Sequence, residues 1–286
     1  MHRTADFLET RYEHFLASAV AVAPHIRKAA RRGARVSKGN LTLDRINVGE
    51  IIRDSVFDVA AWQSDKNTLL GSLTLLAPIA VAAGLTMAED QSFSVDGLRR
   101  NLKIIVEATT PKDAVSFYDA VAIAKPGGLG RVPRLDVNDK TSKRRILAQG
   151  TNLYEVFKIS SSWDSVAAEW TSNFHITFDI GYPFFKTQID KSEDVNMASV
   201  HTFLKILSRV PDTLIARKAG IPKAEWVSKE AGKVLDAGGL ATSKGKDSLR
   251  RLDAELHDVR HKLNPGTTAD ITSAVLAVAI LEGYRP

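Results

Sequence analysis

Apolar positions along this chain recur mostly with helical spacing, and no run alternates with period two for long enough to predict a strand. Leu8, Tyr12, Phe15, Leu16, Ala19, Ala23 and Ile26 make the first stripe. It opens on the capping pair Asp6 and Glu9 and is expected to kink or break before Pro24. Val48, Ile51, Ile52, Val56, Val59 and Trp62 make a second stripe. Residues 67–88 carry no charge, and Pro111 with Asp113 opens a helix through Val115, Tyr118 and Ile123. Further helices are expected over 146–159, 165–174, 195–210, 224–235 and 248–257, with a turn at Tyr182-Pro183-Phe184. The last helix carries Ile271, Ala274, Val275, Val278 and Leu281, and Ala277, Ala279 and Ile280 make it apolar nearly all round, as suits the centre of a domain. Its start is predicted from Pro265-Gly266 as a turn, Thr267 as N-cap and Asp270 three residues later. The pattern predicts an all-α, single-domain multi-helix bundle over residues 1–286 with a buried central helix.

Composition narrows the classes. A chain of 286 residues with 44% hydrophobic content can bury a substantial core, which excludes disorder for most of it. There is no cysteine, so disulfides, thiolate nucleophiles and cysteine-held zinc are excluded, and a reducing, cytoplasmic home is expected. No basic start followed by an apolar core marks a secretory signal. The uncharged run 67–88 is long enough to span a bilayer, but Asn67, Ser72, Thr74, Pro78 and Thr86 favour a buried helix, and no membrane partner is expected.

A net charge of +6 suits phosphorylated small molecules or nucleic acid. The basic run Arg27, Lys28, Arg31, Arg32, Arg35 and Lys38 has no interleaved aromatic residue for base stacking and reads as a solvated helix end. Glu50, Asp54 and Asp58 fall on one helix face, where either water and Arg53 or a hard cation such as Mg²⁺ would relieve their repulsion. Lys125-Pro126-Gly127-Gly128-Leu129-Gly130-Arg131 could bring backbone N–H groups to a phosphate between two cations, though glycine and proline after a helix are also a plain stop signal. The loop before the last helix points a helix start at whatever lies beside it, and the plain alternative is a well-capped core helix.

Taken together, Asn67-Thr68-Leu69-Leu70-Gly71 with Leu75 to Pro78, Pro126 to Gly130, Pro211-Asp212-Thr213-Leu214-Ile215-Ala216-Arg217-Lys218, Gly238-Gly239 and Leu263 to Asp270 resemble the triphosphoribosyl-dephospho-coenzyme A synthase family, in order and across most of the chain. The resemblance implies an all-helical transferase. Such an enzyme takes the base off ATP and joins the triphosphoribosyl unit to the ribose 2′-hydroxyl of dephospho-coenzyme A, releasing adenine. The citrate-lyase type members have Asn-Thr-His-Lys-Gly where this chain has Leu69 and Leu70. The chain resembles instead a divergent branch found in archaea and methylotrophic bacteria, which suggests a different acceptor in one-carbon cofactor (methanopterin or methanofuran) biosynthesis. The family pattern also has Pro-Lys-Pro-Gly-Asn-Val ahead of His2, so a short N-terminal segment is expected to be missing.

With ATP as donor, the phosphate and nucleotide contacts are expected from Asn67, Lys125, Gly127, Gly128, Gly130, Arg131, Arg217, Lys218, Asn264, Gly266, Thr267 and Thr268. Mg²⁺ is expected on Asp212, Asp270 or Asp54. Asp6, Asp136 or Asp270 could be the base, and His2 or His201 the acid. The expected partners are a nucleotide and a phosphorylated acceptor, with a homo-oligomer compatible with the chain. The rival reading is a non-catalytic helical nucleotide- or RNA-binding module that uses the Arg27 to Lys38 run.

Overall fold

The computed structural model describes residues 11–63, 69–90, 92–130, 132, 134–257 and 262–285. Among these there is no strand, and the chain divides into two compact units, Met1–Ile159 and Ser160–Pro286.

The first unit is built around α1 (Tyr12–Ser37), α2 (Val48–Gln63) and α3 (Leu70–Asp90), which pack on one another. α4 (Val95–Glu107) lies on α3, α5 (Pro111–Ala124) on α2, and α6 (Ser142–Gln149) on α5, with α7 (Leu153–Ser160) closing the unit. α3 is the one helix among the described residues apolar and long enough to cross a membrane, yet 72% of its most apolar stretch is buried among its neighbours, as a core helix should be.

α1 runs unbroken through Pro24, against expectation. Pro24 and Val20 are exposed, so the Val20 carbonyl that loses its amide partner lies on the outer side of the helix, where water can satisfy it. α4 is a helix that the pattern reading passed over. Its signals are present: Ser94 accepts from the Gly97 amide as N-cap, and Leu98, Leu102, Ile105 and Val106 form the buried stripe.

Charge pairs explain why α1 and α2 lie side by side. Lys28 is 3.0 Å from Glu50 and 3.5 Å from Asp54, Arg32 is 2.8 Å from Glu50, and His25 is 2.7 Å from Asp58. Glu50 and Asp54 are therefore met by cations of α1, Asp54 also by Arg53 at 2.7 Å, and Asp58 by the His25 ring. α2 and α5 are joined by a buried carboxylate: Asp113 accepts from the Gly49 amide at 2.8 Å and from the Thr110 amide at 2.8 Å and hydroxyl at 2.7 Å.

In the second unit α10 (Val195–Arg209) is central. It packs against α9 (Tyr182–Ser192), α12 (Ile221–Asp236) and α14 (Gly266–Glu282), while α8 (Ser165–Thr171), α11 (Thr213–Ala219) and α13 (Ser243–Leu256) complete the unit. Leu204, Leu207, Ile215, Ala224, Val227 and Val234 form part of its core. The expected turn at Tyr182-Pro183-Phe184 is instead the start of α9. Proline in a first turn has no N–H to lose there, and the chain enters it through a π-helical segment, Ile176–Gly181. Glu169, fully buried, holds that segment by accepting from the amides of Ile176 (2.7 Å) and Thr177 (2.8 Å) and from the Thr177 hydroxyl. Burial pushes its carboxyl up, against the lowering effect of these donors.

Candidate functional site

In the first unit, α5 ends on Lys125 in the left-handed region (φ 46°), and Gly128 follows at φ 79°. Gly127 and Gly130 are exposed, and a Cβ on Gly130 would meet nothing within 4 Å, so no packing demand accounts for that glycine. Asp136, half-buried, accepts from the amides of Val132 (3.0 Å) and Asn138 (2.8 Å), which makes it the organiser of the segment after the glycine loop. Beside it Leu135 is buried at φ 51°, a strained setting for a side chain, and its carbonyl accepts from the Tyr118 hydroxyl. Burial, then the nearby Asp136 charge, pushes Tyr118 up to about 12. A small apolar pocket lies between the residues preceding this loop and the start of α3. Leu69, Leu70, Leu73, Val56, Val59, Ile123 and Ala124 line it.

In the second unit the starts of α8, α11 and α14 come together. Asp212, 2% exposed, accepts through Oδ1 from the amides of Leu214 (2.9 Å) and Ile215 (3.1 Å), and through Oδ2 from the amide and hydroxyl of Thr268, both at 2.8 Å. Burial pushes its carboxyl up, opposed by these four donors. Thr213 accepts from the Ser165 amide at 3.1 Å, and its hydroxyl lies 3.3 Å from that of Thr267. Asp164, the N-cap of α8, takes Arg217 at 3.0 Å, while the Arg217 Nε is buried with no hydrogen-bond partner. The side chain of Arg217 remains 24% exposed, enough to meet a ligand.

α14 starts two residues earlier than expected. Pro265 stands at the N-cap with no side-chain bond, Thr267 sits inside the first turn, and the cap on the Thr268 amide comes from Asp212. Gly266 lies against Leu214: a Cβ there would come within 2.7 Å of its Cδ2. Asn264 accepts the Gly266 amide through its carbonyl, and Asp270 is half-buried one turn further on. Arg217, Gly266, Thr267, Thr268 and Asp212 are thus brought together, and Lys218 follows Arg217 on α11.

His201 is elsewhere in the unit, 6% exposed. Its Nδ1 is 2.8 Å from Gln188 Oε1 and its Nε2 accepts from the Leu240 amide at 2.8 Å, which fixes the neutral ring, and burial lowers its pKa. The glycine pair serves this packing, since a Cβ on Gly239 would come within 2.4 Å of the imidazole. His2, Asp6, Asn67 and Arg131 lie outside the described residues.

The model of the CitG family, ATP:dephospho-CoA triphosphoribosyl transferase, matches residues 1–286. The chain belongs to that family. It is a transferase that uses ATP as triphosphoribosyl donor, moving that unit to a hydroxyl of dephospho-coenzyme A with release of adenine. Its fold is similar to that of a protein described as a triphosphoribosyl-dephospho-CoA synthase from Archaeoglobus fulgidus, with a TM-score of 0.72 and 23% identity over 96% of this chain and 100% of that one.

In this triphosphoribosyl transferase the stretches Pro211 to Lys218 and Leu263 to Asp270, far apart in sequence, meet through Asp212 and Thr268. Asp164, Ser165 and Thr213 were missed by the sequence reading. For Asp164 and Ser165 the signal was a dipeptide ahead of an apolar-periodic run, which announces a cap rather than a site, and Thr213 stood unremarked inside the Pro211 to Lys218 stretch.

Proposed function

We propose that the transferase binds the triphosphate of ATP beside the start of α14, with Arg217 as the principal cation. The observation that supports this is a guanidinium anchored on one side by Asp164, part-exposed, and with Nε unmatched inside the protein. Thr213, part-exposed, lies one turn before it on α11, and Lys218, Asn264 and Gly266 lie on the same two segments. Within the first unit taken by itself, Lys125, Gly127, Gly128, Gly130 and Arg131 are proposed as a phosphate-binding loop in its own right, and Asn67 as a nucleotide contact. Replacing Arg217 by Ala should raise the KM for ATP roughly ten- to a hundredfold, the loss expected for a hydrogen bond to a charged group. An unchanged KM in a folded variant would exclude this site.

Transfer forms a bond from the acceptor hydroxyl oxygen to the anomeric carbon as the bond from that carbon to adenine breaks. The hydroxyl proton passes to a carboxylate and adenine takes up a proton as it leaves. Asp270, one turn beyond Thr267, is the base we propose. Asp136, bonded to two backbone amides, is proposed as a loop organiser, and neutral His201, engaged at both nitrogens, as a packing residue. His2 is proposed as the acid that protonates adenine, and Asp6 stays a second candidate for the base.

Two of the three carboxylates expected to hold Mg²⁺, Asp212 and Asp54, are engaged by other groups. Both oxygens of Asp212 are taken by buried donors, Asp54 is bonded by Arg53 and Lys28, and no grouping of three ligand side chains occurs among the described residues. Mg²⁺ is proposed to arrive with the triphosphate, as it commonly does with nucleotides. The lack of cysteine supports a cytoplasmic location.

A second reading concerns the acceptor. Leu69 and Leu70 stand where the citrate-lyase type has His and Lys, and on that departure one-carbon cofactor precursors are proposed as acceptors beside dephospho-coenzyme A. Incubation with ATP and each acceptor, followed by quantifying adenine, tests both. Adenine release with dephospho-coenzyme A alone would remove the alternative.

A further inference from the structure

We propose that Asp212 is a positioning residue for the transfer reaction. Its carboxylate ties the start of α14 to the start of α11 and so keeps Arg217 and the first turn of α14 in the arrangement that receives substrate. This rests on the reading of that cluster as the triphosphate site.

The two oxygens of Asp212 do different work. Oδ1 accepts from the Leu214 and Ile215 amides, the ordinary duty of an N-cap, which Asn, Ser or Thr performs about as well. Oδ2 reaches a segment 56 residues away and accepts from both the amide and the hydroxyl of Thr268. Only a carboxylate can accept on both sides: an asparagine would turn an NH₂ toward two donors. The second set of bonds therefore exceeds what capping α11 requires.

What those bonds hold in register is the remaining part of the cluster. Thr213, the next residue, touches Thr267 at 3.3 Å and takes the Ser165 amide, and Asp164, beside Ser165, fixes Arg217. If the start of α14 drifts from α11, the Thr213 and Thr267 hydroxyls separate, and a misplacement on the order of 1 Å suffices to weaken a pre-arranged site by up to about a hundredfold. With 2% exposure and four donors already bound, Asp212 itself reaches neither substrate nor ion.

The test uses the full chain and compares Asp212→Asn, Thr268→Val, Arg217→Ala and the pair Asp212→Asn with Arg217→Ala. Ser228→Ala serves as control: it removes a buried bond to the Leu207 carbonyl of 2.6 Å, away from the cluster. KM for ATP, kcat, Mg²⁺ dependence and Tm are measured for each folded variant. Positioning predicts that Asp212→Asn raises the KM for ATP about tenfold. Thr268→Val should give a smaller rise and Thr268→Ser should restore the wild-type value. The double variant should be clearly less than additive. The control should lose Tm with KM unchanged.

A fall in Tm alone for Asp212→Asn and Thr268→Val, matching the control, overturns the proposal. So does a change confined to the Mg²⁺ requirement, which would make Asp212 a ligand. Should Asp212→Asn fail to fold, Thr268→Val and its serine rescue carry the decision. If Arg217→Ala raises KM and these variants do not, positioning alone fails. If Arg217→Ala is also silent, the triphosphate site itself is wrong.

Discussion

Gly33 of α1 and Gly84 of α3 stand in matching contacts: a Cβ on Gly33 would lie 1.9 Å from the Val81 carbonyl oxygen, and one on Gly84 1.9 Å from that of Ala30. The two backbones approach too closely for any side chain at either position. Gly84→Ala should therefore force the helices apart and destabilise the fold by roughly 1–3 kcal/mol or more, although alanine is the better helix former. Urea unfolding followed by circular dichroism reads the effect; a variant as stable as wild type would mean that the helices are not in this contact.

Glu50 joins α2 to α1 through Arg32 and Lys28. Burial pushes its carboxyl up, but those two cations outweigh burial and hold it below its ordinary value of 4.5. A lowered carboxylate contributes stability above its unfolded pKa and loses it as the pH falls through the folded one. Because the pair is 31% exposed on the Glu50 side, Glu50→Gln should cost only roughly 0.5–1 kcal/mol at neutral pH. The gap between variant and wild type should close in acid below pH 4.5 and narrow in high salt. A gap independent of both would point to packing instead.

His201 gives a dependence in another pH range. Its pKa is lowered from 6.5 by burial, so the folded protein resists its protonation while the unfolded chain accepts it. The stability it contributes is present above 6.5 and is lost as the pH falls through the lower, folded value. His201→Asn should flatten the slope of stability against pH just below neutrality. Denaturant midpoints across that range test this, and parallel slopes for both proteins would show that another group titrates.

Asp270→Asn is expected to leave a folded protein with its thermal unfolding close to wild type and to lower kcat by about a hundredfold or more, the scale of a lost general base. Full turnover by that variant, measured as adenine released, would leave Asp270 as a residue of the first turns of α14 only.

Much of the helix plan was legible in the chain. α3 declared itself by its uncharged run, α14 by being apolar nearly all round, α10 by its stripe, and the Pro111-Lys112-Asp113 start by its chemistry. What could not be read was pairing through space. The acidic face of α2 and the basic end of α1 were each visible, but nothing local says that Lys28 and Arg32 answer Glu50. The same holds for Asp212 and Thr268. The sequence presented Thr267 as a self-sufficient cap, and the actual cap lies on a distant segment. Pro24 misled because a proline tells where an amide is missing, not whether its orphaned carbonyl faces water.

The borrowed cap on α14 also bears on the order in which the second unit can be completed. Asp212 leaves the ribosome well before its partner, and α11 can begin with Oδ1 alone engaged. The other oxygen then waits in the nascent chain for a residue made 56 positions later. Truncation just before Gly266 should consequently leave a soft, protease-sensitive intermediate, and synthesis through α14 should make the second unit cooperative.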